Sequence, residues 1–147
     1  MEILEYCLDT DVVIEFLKDK KSVASIFIRK AMGKVKLHVT SITVYELFYG
    51  PKYSGYEKEI EDISSLLMWV NVLPLDLESA KIAAEIDATL HKKGKPIGLR
   101  DVFIAAISVR NSVSIVTRNI KHFQTISMET KYKIEALTPE TALQEIT

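Results

Sequence analysis

The stretch ILEYCLDTDVVIEFLK, residues 3–18, decides the fold. Its first part, ILEYCL, is a short apolar run that ends at an acid, which is typical of a buried β-strand. Its second part, DTDVVIEFLK, predicts a helix that begins at once, with Asp9 or Thr10 as its N-cap. A buried strand that feeds directly into a helix is the pattern of an α/β protein, in which the sheet is covered by helices.

The same alternation continues along the chain. Further strands are predicted over residues 36–39, 71–75, 112–117 and 132–136. Further helices are predicted over residues 23–33, 42–50, 55–70, 77–94 and 100–111, and from residue 139 onward. Gly33, Gly94 and the pair Gly50-Pro51 are expected to end their helices. Short buried strands between helices predict an α/β fold with a parallel sheet and right-handed connections.

The composition predicts one globular domain over residues 1–147. Hydrophobic residues make up 48% of the chain and charged residues 27%, which excludes disordered, collagen-like and low-complexity classes. The net charge of −1 excludes a generally basic nucleic-acid coat but leaves room for a local basic patch. The single cysteine, Cys7, excludes an internal disulfide and a cysteine-built zinc site. We find no signal-peptide pattern and no membrane-span pattern, so a cytoplasmic protein is expected.

Three acids and one amide are predicted to meet at one edge of the sheet. Asp9 and Asn119 follow predicted strands, and Asp101 begins a helix that leads back into a strand. In an open parallel sheet these positions share the carboxyl edge, where binding sites form. Glu46 lies inside the apolar run VYELFY and joins them only if its helix leans over that edge. Clustered oxygen ligands favour Mg²⁺ or Mn²⁺ over zinc or copper.

Each of these residues also has a purely structural interpretation. Asp9 and Asp101 stand where a helix N-cap or first-turn acid is expected, and that role alone would explain them. Glu46 could equally be a solvated charge on a helix surface. The metal-site interpretation is favoured only because the acids are predicted to lie near one edge of the sheet.

Four stretches of the chain resemble the PIN-domain family and, within it, the VapC-type toxins of toxin–antitoxin pairs. The stretch LDTDVVIEFL is similar to the opening motif, with Asp9 as its acid, and VTSITVYELFYG to the second, with Glu46. The stretch GLRDVFIAAISV resembles the third motif, with Asp101, and SIVTRNIKHF the last, with Thr117 and Asn119. Each motif is short, but four in the family's order are rather specific.

The resemblance implies a three-layer α/β/α fold with a short, mostly parallel central sheet. It also implies an endoribonuclease that depends on Mg²⁺ or Mn²⁺, forms a homodimer and is neutralised by a VapB-type antitoxin. Asp9 and Asp101 would hold the metal ion, Glu46 would act as a ligand or orient a water, and Asn119 with Thr117 would support them. The corresponding hypothesis is in-line attack on phosphorus by a metal-activated water, which leaves a 5′-phosphate and a 3′-hydroxyl.

Two positions depart from the family pattern. Asp11 stands where the family often has asparagine, and we interpret it as a first-turn acid that favours the helix dipole rather than as a metal ligand. Asn119 stands where the family often has an acid. An amide oxygen can bind a metal ion but adds no charge, so one ion, or a weakly bound second one, is expected.

Five basic residues are candidate RNA contacts, because phosphate contacts supply most of the non-specific affinity for nucleic acids. They are Lys92, Lys93, Lys95, Arg100 and Arg118. The alternative for the lysines is a solvated helix end. His122 is interpreted as a surface residue, and Tyr45 and Tyr49 as core or interface residues.

Two further functional hypotheses remain open at this point. A PIN-like nuclease could process RNA without any antitoxin, and the sequence does not separate this from a toxin. A catalytically inactive binding module could also keep the fold, with Asn119 as the feature that favours it. A fourth hypothesis, a phosphate-handling receiver-like domain, fits poorly because its paired acids and late lysine are not matched.

Overall fold

A parallel five-stranded sheet forms the middle of the molecule. The structure is a computed structural model that describes residues 3–147. The strands are β1 (Glu5–Leu8), β2 (Lys36–Thr40), β3 (Asn71–Leu73), β4 (Ser114–Val116) and β5 (Ala136–Leu137). Their order is β3-β2-β1-β4-β5, and all four neighbouring pairs are parallel. The predicted parallel sheet is therefore confirmed, with the strand of the opening motif at its centre.

Residues 3–147 form eight helices, which surround the sheet. They are α1 (Thr10–Lys18), α2 (Val23–Ala31), α3 (Ser41–Ser54), α4 (Glu57–Leu67), α5 (Leu77–Lys92), α6 (Leu99–Asn111), α7 (Ile120–Glu129) and α8 (Pro139–Ile146). Among the described residues, no helix combines the length and apolarity needed to cross a membrane.

The sheet is buried on both faces, which makes the fold three-layered. Val116 of β4 packs in a cluster with residues of α1, α2, α4 and α8. Its neighbour Ile115 packs in a second cluster, with residues of α5, α6 and α7. Because successive side chains of a strand point to opposite faces, these two clusters lie on opposite sides of the sheet. The predicted α/β/α layering is confirmed.

The expected end of α3 at Gly50-Pro51 is wrong. The helix runs on to Ser54, with Pro51 inside it, and ends at Gly55 in the left-handed conformation with φ of 81°. Proline disfavours a helical conformation of the residue before it through contact with that residue's Cβ and N–H. Gly50 has no Cβ, and Pro51 is buried, so the helix tolerates one lost backbone hydrogen bond.

Several other predicted boundaries differ by a few residues, among them those of α4, β3 and β4. The last strand is Ala136–Leu137 rather than residues 132–136, and β1 begins at Glu5 rather than residue 3. Pro139 does begin α8, with the Thr138 side chain as its N-cap. These differences do not move the strand ends that carry the predicted site.

Candidate active site

Asp9 lies at the carboxyl end of the central strand and is buried. Its backbone N–H donates to the carbonyl of Val116 on the neighbouring strand β4, at 2.9 Å. Its Oδ1 accepts from the backbone N–H of Thr10 at 2.8 Å, which makes Asp9 the N-cap of α1. Its Oδ2 accepts from the Thr117 hydroxyl at 2.7 Å. The capping interpretation of Asp9 is thus correct. However, this carboxylate also accepts two hydrogen bonds from outside α1, one from Thr117 and one from Arg100.

Glu46 reaches the same edge from α3. The side chain of Thr40 caps this helix by accepting from the backbone N–H of Thr43 at 3.1 Å. One turn further on, Oε1 of Glu46 accepts a 2.5 Å hydrogen bond from the Thr10 hydroxyl. The helix therefore leans over the sheet edge, and Glu46 points inward instead of into solvent.

Asp101 is the third residue of α6 and is also buried. Its Oδ2 lies 2.6 Å from Nδ1 of His122 and 3.4 Å from Nδ2 of Asn119. Both partners come from the first turn of α7 or the residue before it. The start of α6 and the start of α7 thus meet at the carboxyl edge of the sheet.

Arg100 joins the three carboxylates. Its Nη2 donates to Oδ1 of Asp9 at 2.7 Å, its Nε to Oε2 of Glu46 at 2.6 Å, and its Nη1 to Oδ1 of Asp101 at 2.5 Å. Burial lowers the pKa of this guanidinium, but the hydrogen bond to Glu46 and the charge of Asp9 outweigh burial and raise the pKa above its usual value. One cationic group is therefore the common partner of three acids from three different elements.

Asp11 lies beside this cluster. Its Oδ2 accepts from the backbone N–H of Arg118 at 3.0 Å. Its Oδ1 is buried and has no hydrogen-bond partner among the described residues. Burial, and next the negative charge of Asp9, raise the pKa of Asp11 above its usual value. The cluster thus carries more negative charge than its cations balance.

The acids do not form a ready-made metal site. Across residues 3–147, no group of three histidine, cysteine, aspartate or glutamate side chains is placed closely enough to hold an ion. The donor chemistry nevertheless suits a hard cation, because Asp9, Glu46 and Asp101 all offer carboxylate oxygens to one positive group. The orphaned Oδ1 of Asp11 adds a further oxygen near the same place.

The model of the PIN domain matches residues 6–127 of the chain. The chain belongs to the PIN-domain family. The PIN match begins within β1, extends past β4 and includes all of the acids described above. It ends before β5 and α8.

Relatives of this PIN domain are named as VapC ribonucleases. The chain is 34% identical to Ribonuclease VapC2 of Haemophilus influenzae over 125 residues, which is 84% of this chain and 93% of that protein. It is 30% identical to the tRNA(fMet)-specific endonuclease VapC of Shigella flexneri, with the same coverage. Among solved structures, VapBC-1 from nontypeable Haemophilus influenzae matches with a TM-score of 0.79 at 28% identity and covers 93% of this chain and 99% of that chain.

The polar residues that follow β4 contact the carboxylates of the PIN site through hydrogen bonds. The Thr117 hydroxyl accepts from the backbone N–H of Asn119 at 2.9 Å while it donates to Asp9. The Asn119 amide lies 3.1 Å from Nδ1 of His122. The structure thus brings Asn119 and Thr117 into the cluster, as the sequence predicted.

His122 contacts the PIN site, which sequence reasoning missed. The sequence indicates a surface residue, and the side chain is indeed 43% exposed, but its Nδ1 lies 2.6 Å from Oδ2 of Asp101. A signal for this placement was present, because His122 follows Asn119 by three residues. Positions three apart on a helix share a face.

Arg100 is the one candidate RNA contact that the structure places among the carboxylates. Lys93 and Lys95 both pair with Glu129 at the end of α7, with Nζ–carboxylate distances of 3.7 and 2.9 Å. Lys92 is exposed at the end of α5. Arg118 holds Glu140 of α8 and, at 3.1 Å, Glu15 of α1. Arg118 thereby ties two helices together.

Proposed function

We propose that this PIN domain is the endoribonuclease toxin of a toxin–antitoxin pair and that it hydrolyses RNA with the help of Mg²⁺ or Mn²⁺. The observation that carries the proposal is the convergence of Asp9, Glu46 and Asp101 on one cationic group at the carboxyl edge of the sheet. The relatives named as VapC ribonucleases support the reaction class.

The proposed metal ligands are the carboxylates of Asp9, Asp101 and Glu46. Three carboxylates and the nearby Asp11 form a site with excess negative charge, which a divalent cation would balance. When bound, the metal ion supplies a water activated for attack and positive charge opposite the phosphate oxygens. Asn119 contributes no charge, which supports a single strongly bound ion.

The remaining residues of the site hold these carboxylates in place. Thr117 fixes Oδ2 of Asp9, and Thr10 fixes Oε1 of Glu46. His122 fixes Oδ2 of Asp101, which leaves the other oxygen of that carboxylate turned toward the centre of the cluster. Ligand side chains that are held by such hydrogen bonds lose less conformational entropy when an ion binds.

The proposed partner is a VapB-type antitoxin. Solved structures similar to this chain include VapBC assemblies, and one of them is a DNA-bound VapBC from Salmonella typhimurium at 27% identity. A groove of about 300 Å³ between α1, α3 and α4 opens beside the site, with Ile14, Leu47 and Ile63 in its wall and Glu46 at its edge. Apolar grooves of this kind fit an amphipathic segment of a partner. We place the pair in the cytoplasm, where RNA is available.

A homodimer is part of the proposal and rests on an aromatic stripe on α3. Tyr45, Tyr49 and Tyr53 lie one turn apart, with ring centroids separated by 6.0 and 6.1 Å. All three rings are exposed, so the alternative of core packing is wrong for Tyr45 and Tyr49. Tyrosine is enriched at protein interfaces. The proposed partner of these three rings is a second copy of the chain.

The experiment is cleavage of end-labelled single-stranded RNA, and of tRNA, by purified protein with Mn²⁺, with Mg²⁺ or with EDTA. We expect metal-dependent cleavage that leaves 5′-phosphate and 3′-hydroxyl ends and that Asp9→Asn abolishes. Full activity in an Asp9→Asn, Asp101→Asn double variant would overturn the proposed site. Mn²⁺ binding through Asp9 without cleavage would indicate an enzyme selective for another RNA. Absence of both cleavage and Mn²⁺ binding would favour the binding module.

Growth separates a toxin from a housekeeping nuclease. We expect expression of the chain alone to arrest growth and co-expression of the small protein encoded beside its gene to relieve the arrest. Normal growth of cells that contain active enzyme would favour the housekeeping nuclease.

A further inference from the structure

Arg100 uses three of its nitrogen atoms on three different acids. Nε, Nη1 and Nη2 each donate to one of the carboxylates that the proposed function assigns to the metal ion. A planar guanidinium spreads the acceptor oxygens around its edge. Mg²⁺ instead needs oxygen ligands at about 2.0–2.1 Å around a single point. The guanidinium and the ion therefore cannot be held by the same three oxygens at once.

We propose that Arg100 is an internal competitor for the divalent cation. Its guanidinium occupies the cation position, and binding of the ion breaks its three ion pairs and turns the side chain out to the mouth of the site. This inference rests on the proposed metal-dependent function and assigns a residue that controls access of the ion.

Charge explains why a divalent ion can win this competition. One guanidinium carries a single positive charge against the three carboxylates of Asp9, Glu46 and Asp101. Arg100 therefore leaves two of the negative charges around it uncompensated. Asp11 adds to this excess. A divalent cation relieves repulsion among the carboxylates that Arg100 alone does not relieve.

The surroundings allow Arg100 to leave without disturbing the core. Its side chain is 35% exposed, whereas those of Asp9 and Asp101 are only 2% and 7% exposed. The carboxylates keep their other partners, Thr117 and His122, when the guanidinium departs. Arg100 is therefore the side chain that has to leave the site, and the carboxylate oxygens it releases would then close around the ion.

The displaced side chain has a second consequence. Arg100 stands next to Asp101 at the start of α6, so a released guanidinium stays at the opening of the site. Guanidinium groups bind phosphate through two parallel hydrogen bonds. The contact with RNA that the sequence predicted for Arg100 would then form only after the metal ion has bound.

The alternative is a fixed structural ion pair, in which Arg100 stays on the acids while the metal ion binds elsewhere. NMR of the arginine Nε–Hε groups distinguishes the two, with the Arg100 signal assigned by its loss in Arg100→Lys. Without added metal, we expect this Nε–H to be protected from exchange with water by its bond to Glu46. Saturating Mg²⁺ should remove that protection. Protection that persists at saturation would overturn the inference and leave the proposed function intact.

Mn²⁺ affinity, measured by calorimetry, provides a second readout. Arg100→Gln should bind Mn²⁺ about tenfold more tightly than the natural protein, because its site no longer has to be vacated. Arg110→Gln is the control. It also removes an arginine that is paired with a carboxylate, since Nε of Arg110 lies 3.7 Å from Oδ2 of Asp76. Its Mn²⁺ affinity should stay within about twofold of the natural protein, because Asp76 lies outside the cluster.

The outcomes separate the inference from the function it rests on. Unchanged affinity in Arg100→Gln, together with Asp9-dependent binding in the natural protein, would overturn the competitor role alone. Absence of Mn²⁺ binding in both proteins would overturn the proposed metal site and the inference with it. If Arg100→Gln does not fold, Arg100→Lys replaces it, with an affinity expected between those of the other two. A lysine is a point charge that cannot hold three acids in the same way.

Discussion

The Thr117 hydroxyl donates a 2.7 Å hydrogen bond to Oδ2 of Asp9, between the ends of two neighbouring parallel strands. Thr117 is itself fixed, because its backbone N–H donates to the carbonyl of Leu137 at 2.8 Å. Both residues are buried. The sheet therefore sets the direction of the Asp9 carboxylate through a buried neighbour that is itself hydrogen-bonded to the adjacent strand β5.

Replacing Thr117 with valine tests this relationship. The two side chains have nearly the same shape, but valine leaves Oδ2 of Asp9 without its donor. Loss of a hydrogen bond to a buried charged group costs about 1–3 kcal/mol. We expect the free energy of unfolding from urea titration to fall by that amount. Thr117→Ser keeps the hydroxyl and should lose less, so equal losses in the two variants would contradict the positioning role.

His122 is expected to act through Asp101. Replacement by phenylalanine keeps a ring but removes the 2.6 Å contact of Nδ1, so Oδ2 of Asp101 keeps only the longer contact with Asn119. Loss of such an outer partner typically lowers metal affinity or activity by about 10- to 100-fold. We expect this loss in Mn²⁺ binding and in RNA cleavage, with little change in the unfolding free energy because the side chain is 43% exposed.

His91→Phe is the control for His122. Its Nε2 lies 3.3 Å from Asp87 within the same helix. It therefore tests the loss of a histidine–carboxylate contact in general. An equal effect of the two substitutions on Mn²⁺ affinity would show that His122 has no particular connection with the site.

The acids of the site could be predicted because topology alone places them. Asp9 follows a strand, and Asp101 begins a helix that returns to one, so both must lie at the carboxyl edge of a parallel sheet. Glu46 could be predicted only conditionally. Its placement depends on the tilt of α3 and on the Thr10 hydroxyl that holds it, and both are features of tertiary packing.

The positions of the long basic side chains could not be predicted. The sequence makes Arg100, Lys93 and Lys95 candidate RNA contacts, with a solvated helix end as the alternative for the lysines. Arg100 instead turns inward to three acids, and the lysines meet Glu129 more than 30 residues away in sequence. Long basic side chains can reach partners on neighbouring helices and strands. A local sequence pattern does not show which of these partners they will contact.

Gly55 provides a prediction about the end of α3. Its φ of 81° lies in the left-handed region, and a Cβ built there meets nothing within 4 Å. The cost of Gly55→Ala is therefore conformational and amounts to about 1–2 kcal/mol. We expect a lower thermal midpoint for Gly55→Ala and a smaller decrease for Gly55→Asn, because asparagine tolerates this conformation. Equal midpoints for the alanine variant and the natural protein would contradict the assigned helix end.

Asp11 connects the stability of the fold to pH. Burial, followed by the charge of Asp9, raises the pKa of its carboxyl in the folded protein. A group with a raised folded pKa binds protons more readily when folded, so the ionised carboxylate destabilises the fold. This destabilisation by the ionised carboxylate is absent below the ordinary aspartate pKa. It grows as the pH rises toward the raised pKa of Asp11 in the folded protein and is complete above that pKa.

Replacing Asp11 with asparagine should therefore stabilise the protein at pH 7 and have no effect near pH 3. The amide oxygen can still accept from the Arg118 N–H, while the charge beside Asp9 is removed. The gain should be at most about 1 kcal/mol, because the carboxylate is only partly buried and water screens it. Asp76→Asn is the control with opposite sign, since the Ser79 N–H lowers the pKa of Asp76. It should destabilise at pH 7. Urea titrations of both variants at pH 3 and pH 7 measure these changes in the free energy of unfolding. A loss of stability in Asp11→Asn at pH 7 would contradict the prediction, because it would show that the folded protein stabilises the ionised Asp11 carboxylate.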